Sequence, residues 1–126
     1  NLMNTKSTGN GRRGYSSMPS PGFYNICVSP GNATVDDMIG DIKEGIYIDE
    51  FIGGGQSNVM AGEFNINLKI AFKIENGKLG GSISDTMVSG NVYDIFKNAP
   101  VFGKELFTER NYSVPHLFLP KVSVSV

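Results

Sequence analysis

The sequence predicts a β-dominated α+β domain, with two short helices and a mainly antiparallel sheet that could close toward a barrel. Three observations carry this prediction. Apolar side chains occupy every second position from Phe64 to Ile74. The dipeptide Asn76-Gly77 supplies the two positive-φ residues of a hairpin turn. Two helical patterns begin at the capping residues Thr34 and Asn91.

Length and composition fit one globular domain. The chain has 126 residues, of which 40% are hydrophobic and 18% are charged, so it can build one core and is too short for two domains. With 11 basic and 12 acidic residues the net charge is −1, and we expect neither nucleic acid nor a membrane as a partner. No apolar run reaches the roughly 18 residues that span a bilayer, so a soluble domain is expected.

The first 22 residues differ in composition from the rest. They are rich in Asn, Ser, Gly, Arg and Pro and lack a periodic apolar pattern. This predicts a linker or docked loop over 1–22 and a single domain over 23–126. Because the chain begins at Asn1 without an initiator Met, we interpret it as part of a longer protein. Cys27 is the only cysteine, so no intrachain disulfide can form and a cytoplasmic location is expected.

The first half of the domain predicts a strand, a helix and a second strand. A short strand covers 23–28 and precedes turn residues at 29–32. Thr34 caps a helix whose natural end is Gly45. A strand over 45–52 then meets three consecutive glycines, which no strand interior tolerates well. The apolar face of the helix consists of Val35, Met38, Ile39 and Ile42.

The Asn76-Gly77 turn predicts the register of a hairpin whose second strand runs from Lys78 to about Val88. Gly81 opposite Phe72 would let the phenyl ring lie over bare backbone. Asp85 falls on the apolar face, so it lies either at the sheet margin or beside a hydrogen-bond donor. The predicted partners are Ile74 with Leu79, Phe72 with Gly81, Ile70 with Ile83, Leu68 with Asp85 and Ile66 with Met87.

The C-terminal third predicts one short helix and a returning strand. Asn91 caps the helix, and Pro100 prevents its continuation. Alternating apolar residues over 117–119 and again over 122–126 indicate strands that tie the C-terminus into a sheet. The apolar stripe of this helix consists of Val92, Ile95 and Phe96.

Few residues suit hydrolytic chemistry. A catalytic metal needs about three ligands from His, Cys, Asp or Glu and one open position, and the chain has one histidine, His116, and one cysteine, Cys27. The ordinary interpretations are a surface or packing residue for His116 and a small buried hydrophobe for Cys27. The Asp36-Asp37 pair belongs to a helix N-terminus and the Asp49-Glu50 pair to an exposed edge. No catalytic or metal-binding residue is predicted.

The glycine-rich segment Gly53-Gly54-Gly55-Gln56 admits two interpretations. It does not fit a phosphate-binding loop, because the Lys-Ser/Thr ending is missing and no helical pattern follows. It is either a structural turn where two backbones approach closely or a loop that lines a peptide-binding cleft.

Several short strings occur in an order and spacing that resemble the C-terminal domain of the TldD/PmbA metallopeptidase family, once called modulators of DNA gyrase. The match spans nearly the whole chain. Each string is weak singly, and their shared order carries the resemblance. The strings are Ser7-Thr8-Gly9-Asn10-Gly11-Arg12-Arg13, Pro30-Gly31, Gly45-Ile46-Tyr47-Ile48, Gly53-Gly54-Gly55, Gly62-Glu63-Phe64, Ile74-Glu75-Asn76-Gly77-Lys78, Val88-Ser89-Gly90-Asn91 and Leu117-Phe118-Leu119-Pro120.

The resemblance implies a two-lobed peptidase for peptides or unfolded proteins, paired as a homodimer or as an active subunit with a metal-free PmbA/TldE-like partner. Active members hold zinc with a HExxxH helix upstream of this domain and a cysteine near the chain end. Here that region, Asn111 to His116, has no cysteine, so a metal-free subunit is implied and His116 is not favoured as a substitute ligand. The resemblance also implies that extended peptides pair with a strand in a cleft bordered by Gly53, Gly54, Gly55 and Gln56.

We therefore expect a structural domain that supports the active-site lobe and the dimer interface of a zinc-dependent peptidase, without a cofactor of its own. Three alternatives remain. The chain could be a stand-alone β domain that binds extended peptides through an exposed edge. It could belong to an active metallopeptidase subunit whose HExxxH helix lies upstream. A metal bound at Cys27 or His116 would instead make the fragment an enzyme in its own right.

Overall fold

The longest strand of the protein is the one that the alternating pattern predicts. In a computed structural model of the chain, the structure describes Lys6, residues 8–53 and residues 58–125. The strands are β1 (Gly11–Arg12), β2 (Ser20–Pro21), β3 (Ile26–Cys27), β4 (Glu44–Gly53), β5 (Glu63–Glu75), β6 (Lys78–Ile83), β7 (Met87–Asn91), β8 (Val101–Glu109), β9 (Tyr112–Phe118) and β10 (Ser123–Ser125). The helices are α1 (Val35–Gly40) and α2 (Val92–Lys97), with a short 3-10 helix at Val59–Ala61.

Strand β5 organises a five-stranded antiparallel sheet, the large sheet. It pairs with β4 along one edge, and along the other edge with β6 near its C-terminal end and β7 near its N-terminal end. Strand β10 adds to the outside of β7. The C-terminus is therefore tied into a sheet, as the sequence predicts.

A second, three-stranded sheet, the small sheet, has the order β3-β9-β8. Strands β8 and β9 form an antiparallel hairpin, and β3 runs parallel to β9. Residues 31–33 cover part of the outer edge of β8, where the Lys104 amide donates to the Ala33 carbonyl at 2.8 Å. Strands β1 and β2 pair only with each other. The sheets are open, so closure toward a barrel does not occur in the described chain.

The hairpin turn forms as predicted, but the register changes two residues after it. Asn76 and Gly77 both have positive φ, at 50° and 75°, and Ile74 pairs with Leu79. Phe72 then pairs with Ser82, because β6 has one extra residue at Gly80-Gly81. This bulge makes the other predicted pairings wrong, including Phe72 with Gly81. The observed pairs beyond it are Ala71 with Ile83, Asn67 with Met87 and Ile66 with Val88.

The predicted second strand of the hairpin is in fact two strands. Strand β6 ends at Ile83, and β7 begins at Met87 after a short bend. In this bend Asp85 has φ of 53° and is exposed, so its carboxylate does not face the core. Thr86 is buried, and its hydroxyl donates to the Ser84 carbonyl at 2.9 Å. The predicted pairing of Leu68 with Asp85 therefore does not form.

Two further irregularities decide which side chains of β5 enter the core. The pairing of β4 with β5 skips Asp49 on one strand and Lys69 on the other. An extra residue reverses the faces of the side chains that follow it. As a result Ala71 is 1% exposed and Ile70, which the alternation assigned to the core, is 39% exposed. The buried cluster is Leu68, Ala71 and Val88, with Ile46, Ile48, Phe64, Ile66, Ile83 and Val122 packed against it.

Helix α1 begins as the sequence predicts and ends earlier. The Asp37 amide donates to Thr34 Oγ1, and the Thr34 amide donates to Asp37 Oδ2, each at 3.1 Å. The helix ends at Gly40 with Asp41 as its C-cap, so Gly45 is not the terminator and already lies in β4. The hairpin turn fixes this boundary, because the Gly77 amide donates to the Ile42 carbonyl at 2.8 Å.

The C-terminal third contains one strand that the sequence did not indicate. Asn91 caps α2 by accepting from the Tyr93 amide at 2.9 Å, as predicted. Only Ile95 of the predicted stripe is buried, and Phe96 is 54% exposed. The missed strand is β8, whose nine residues include the sequence Gly103-Lys104-Glu105. The predicted strand over 23–28 is reduced to the two residues of β3. Neither described helix has the length and apolar character that a membrane crossing needs.

The capping box of α1 predicts a defined loss of stability. Thr34→Ala removes the acceptor for the Asp37 amide and is expected to lower the free energy of unfolding by about 0.5–2 kcal/mol. Urea denaturation measures this change. Asp36→Asn is the matched control, because Asp36 lies in the same turn and is outside the capping box. Equal losses in the two variants would contradict the assigned role of Thr34.

The same box predicts a pH dependence. The hydrogen bonds from the Thr34 hydroxyl and then the Thr34 amide lower the pKa of Asp37 below its ordinary value of 3.8. Ionised Asp37 thus stabilises the fold above that value, and the contribution is lost as the pH falls through the lowered pKa. Wild type should exceed Asp37→Asn in stability at pH 6, and the difference should vanish in strong acid. A difference that grows on acidification would refute this.

The hairpin turn requires glycine at position 77. A Cβ there would lie 2.7 Å from the Gly40 carbonyl oxygen, and φ is +75°. Gly77→Ala is expected to destabilise the domain by at least about 1–2 kcal/mol. Gly81→Ala is the control, because its Cβ would meet nothing within 4 Å. Thermal unfolding compares the two, and equal effects would show that the turn does not limit stability.

Candidate functional site

The outer edge of β4 is the longest free strand edge in the described chain. Strand β4 has ten residues and lies at one end of the large sheet, where β5 is its only partner. Its outward amides and carbonyls have no described partner strand. Such an edge can accept a further extended segment through backbone hydrogen bonds.

A wide apolar cleft of ≈ 1270 Å³ adjoins this edge. Helix α1 and one face of the large sheet, from β4 across β5 to Ile83 and Val88, line one side of it, and the segment from Val114 to Val124 lines another. Most lining side chains are aliphatic or aromatic, which suits a binding surface that excludes water. A smaller, polar depression of ≈ 380 Å³ lies at the hairpin turn among Lys43, Glu44, Glu75 and Asn76. It is shallow and has no apolar side chains, so the large cleft is the stronger candidate.

Tyr47 and His116 form an aromatic contact across the cleft. Tyr47 is on β4 of the large sheet and His116 is on β9 of the small sheet. Their ring centroids are 6.4 Å apart, with 24° between the ring planes. This near-parallel stack connects the two sheets directly. His116 is exposed and stacks on Tyr47, so it is both a surface residue and a packing residue, the two ordinary roles that the sequence suggested.

The end of β4 presents apolar side chains beside the glycine-rich segment. Phe51 and Ile52 are 55% and 58% exposed. Gly53, the last residue of the strand, has φ of 105°, a conformation that favours glycine. Of the predicted site residues, only Gly53 can be placed, because Gly54, Gly55 and Gln56 lie outside the described residues. Sequence reasoning missed Phe51 and Ile52, although two large apolar residues before a glycine run are a usable signal.

The chain after the glycine segment is well anchored. The Asn58 carbonyl accepts from the Ala61 amide at 3.0 Å and from the Glu63 amide at 3.1 Å. Asn91, which caps α2, also donates its side-chain amide to the Ala61 carbonyl at 2.8 Å. The glycine segment therefore connects two fixed points, the end of β4 and the start of β5.

Charges along β4 are partly compensated. Glu50 and Lys69 form an ion pair with 2.7 Å between their charged atoms. On the neighbouring strand, the hydrogen bond to Glu75, with its negative charge, raises the pKa of Lys73 above its ordinary value. Asp49, at the irregularity in β4, is exposed and has no ion-pair partner among the described residues. The edge is therefore mildly acidic at its centre.

The single cysteine and the single histidine of the chain lie on opposite faces of the small sheet. Cys27 on β3 pairs with Ser113 on β9, and His116 is three residues further along β9. Successive side chains alternate between sheet faces, and three residues of strand span about 10 Å. Cys27 and His116 are thus on opposite faces and cannot share one metal. Within residues 8–53 and 58–125, no group of three or more His, Cys, Asp or Glu side chains could hold a metal ion.

Cys27 differs from the sequence prediction. It was expected to be a small buried hydrophobe, but it is exposed. The reason is that β3 has only two residues and lies at the end of the small sheet, where no element covers it.

Comparisons with known proteins fit this geometry. A family model described as the PmbA/TldA metallopeptidase C-terminal domain matches residues 1–126. The chain belongs to the TldD/PmbA metallopeptidase family. It is 36% identical over 106 residues to a metalloprotease TldD homolog of Buchnera aphidicola, covering 83% of this chain and 22% of the relative.

Solved structures show the same fold. TldE from Thermococcus kodakarensis matches with a TM-score of 0.79 and 30% identity, over 97% of this chain and 29% of that one. A proposed modulator of a DNA gyrase from Thermotoga maritima has the same TM-score of 0.79 at 22% identity, over 98% of this chain and 28% of that one. The latter likeness is one of fold alone. The TldD/PmbA chain thus spans 22–29% of the lengths of these relatives.

The exposure of Cys27 predicts rapid thiol chemistry. In the 126-residue domain, a chromogenic aromatic disulfide should modify one thiol per chain in native buffer, at a rate close to that in urea. Absorbance of the released thiolate measures this rate. Protection of Cys27 until the domain unfolds would contradict its assigned position at the sheet margin.

Proposed function

We propose that this chain is the non-catalytic C-terminal domain of a TldD/PmbA-type zinc-dependent peptidase, in the metal-free, TldE-like subunit. In this role it supports the active-site lobe and contributes to the dimer interface, with a second family subunit as its partner. The full assembly hydrolyses peptides or unfolded proteins in the cytoplasm. The domain comprises residues 23–126, and residues 1–22 link it or dock elsewhere.

One observation carries the non-catalytic assignment. The region 111–116, where the resemblance places the family's cysteine ligand, contains no cysteine. Cys27 and His116 also lie on opposite faces of the small sheet and cannot form a zinc site together. No step of the hydrolysis is therefore assigned to side chains of this domain. Zinc would be held by the active subunit of the complex. The chain is similar both to TldE, at 30% identity, and to a metalloprotease TldD homolog, at 36% identity, so the missing cysteine ligand is what supports the partner subunit.

The proposed contribution to catalysis is binding. An extended peptide would add to the outer edge of β4 through backbone hydrogen bonds, which tolerate many side chains. Phe51 and Ile52 would contact apolar side chains of the peptide, and Gly53, Gly54, Gly55 and Gln56 would border its path without steric hindrance. The free edge of β4 supports this proposal. It equally supports the second candidate, a stand-alone domain that binds extended peptides.

The length of the native gene separates these candidates. A gene that encodes only the 126 residues would favour the stand-alone domain. An upstream HExxxH helix would favour an active metallopeptidase subunit. A longer chain without that motif is the outcome that the proposed metal-free subunit requires.

If the domain is non-catalytic, replacing Cys27 or His116 should not change zinc binding or turnover. Cys27→Ala and His116→Ala should leave the zinc content and the kcat of the assembled peptidase unchanged, with atomic absorption and a fluorogenic peptide as readouts. Even outer partners of metal ligands cost roughly 10- to 100-fold in affinity or activity when removed. A loss of that size together with loss of zinc would overturn the assignment.

The binding role predicts sensitivity to the peptide backbone. An extended peptide with two N-methylated amides on one edge should bind about tenfold more weakly than its parent, since each hydrogen bond contributes about 0.5–1.5 kcal/mol. Fluorescence anisotropy measures both affinities. The control is a peptide of the same composition in scrambled order, which should bind nearly as well as the parent. Equal binding of parent and methylated peptides would exclude strand addition.

A further inference from the structure

The N-terminal segment from residue 8 to residue 24, called the arm, is held together by contacts among its own residues. Strands β1 and β2 pair, and the Gly22 amide donates to the Asn10 carbonyl at 2.8 Å. Tyr24 donates its hydroxyl to the Gly11 carbonyl at 2.7 Å. The Arg12 guanidinium lies 5.3 Å from the centre of the Tyr24 ring and donates to the Phe23 carbonyl at 3.1 Å. The arm is thus a folded hairpin.

The arm nevertheless exposes its largest apolar side chains. Tyr15, Met18 and Phe23 are 105%, 86% and 77% exposed. No residue of the arm lines the apolar cleft of its own chain. An ordered element that holds three large apolar side chains in water is typical of a surface that packs against another polypeptide.

The arm and the rest of the chain have opposite charge. The arm has two basic residues, Arg12 and Arg13, and no acidic one. The rest of the chain has 9 of the 11 basic and all 12 acidic residues, so the net charges are +2 for the arm and −3 for the rest. Opposite charge favours contact between an arm and the body of another copy.

The cleft near α1 has the complementary character. Val35, Met38 and Ile39 of α1 line its apolar wall. Asp36 and Asp41 are exposed on the same helix and at its C-cap. Glu44, at the start of β4, also lines the cleft and is exposed. This end of the cleft is an apolar groove with an acidic rim, and the arm is a basic hairpin with apolar side chains. Within the lining, Glu44 and Asp49 balance Lys73 and Lys121. In and beside α1, three exposed acids, Asp36, Asp37 and Asp41, outnumber one exposed base, Lys43.

We propose that two copies of this chain exchange arms, each arm lying in the α1 end of the partner's cleft. The exchange is reciprocal, so it closes as a two-fold symmetric dimer and leaves no free arm. Arg12 and Arg13 face the acidic rim formed by Asp36, Asp41 and Glu44, and the apolar side chains of the arm cover the wall of α1. The Phe51 end of the cleft stays open for peptide. This contact joins two copies of this chain, so it goes beyond the pairing with an active subunit in the proposed function.

Sedimentation equilibrium of the protein expressed from its native gene tests the exchange. Tyr15→Ser with Phe23→Ser removes apolar contacts, and Arg12→Glu with Arg13→Glu reverses the charge of the arm. Each pair should weaken self-association about tenfold or more. Lys104→Glu with Arg110→Glu makes the same charge change outside the arm and is the matched control, which should associate more tightly than the arm variant. Unchanged melting temperatures exclude unfolding of the domain. Because Arg12 also contacts Tyr24 and Phe23 within the arm, unchanged NMR amide shifts for residues 8–24 are required to exclude loss of the hairpin itself.

A charge exchange gives the decisive outcome. Asp41→Lys with Glu44→Lys reverses the rim without altering the capping box. This rim variant and the charge-reversed arm variant should each self-associate weakly, and an equimolar mixture should form heterodimers, because both arm–rim contacts become attractive. Dimers that tolerate every arm variant would overturn the exchange and leave the dimer intact. A monomeric unaltered protein would overturn the exchange, and it would leave the proposed pairing with an active subunit unaffected. A mixture that stays monomeric would overturn the arm–rim pairing.

Discussion

The pairing of β5 on both edges is the constraint on which the rest of the fold depends. Thirteen residues of one strand hold β4 on one edge and both β6 and β7 on the other. The buried side chains Leu68, Ala71 and Ile74 all come from this strand. Because β5 already has partner strands on both edges, β4 lies at the end of the sheet with a free outer edge. The proposed binding of extended peptides depends on that topology.

Local patterns predicted the elements well. The alternation of β5, the Asn76-Gly77 turn and the caps at Thr34 and Asn91 depend on neighbouring residues, and each forms as expected. The register beyond the turn depends on three single-residue irregularities, at Gly80-Gly81, Asp49 and Lys69. Glycines permit such a bulge, but the local sequence does not determine which residue is left unpaired. The position is decided by packing between strands that are distant in sequence, and this is why Ala71 rather than Ile70 is buried.

The site was harder to predict than the fold. The sequence indicated the glycine segment, and its first residue, Gly53, has the positive φ that such a run permits. The cleft beside it arises from two sheets and a helix, and from the contact of Tyr47 with His116. Those elements are far apart along the chain. In addition, β8, the hairpin partner of β9, shows no clear alternation of apolar and polar residues. The resemblance to the TldD/PmbA family supplied the expectation of peptide binding, and the geometry supplied the edge that could perform it.

If a polypeptide segment adds to β4 and completes the large sheet, amide hydrogen exchange followed by NMR, with and without a saturating extended peptide, will detect it. Those amides of Glu44–Gly53 that do not bond to β5 should exchange quickly in the free protein and slow markedly when the peptide binds, while β5 changes little. Protection at β6 or β10, with β4 unaffected, would show that the peptide does not add to β4.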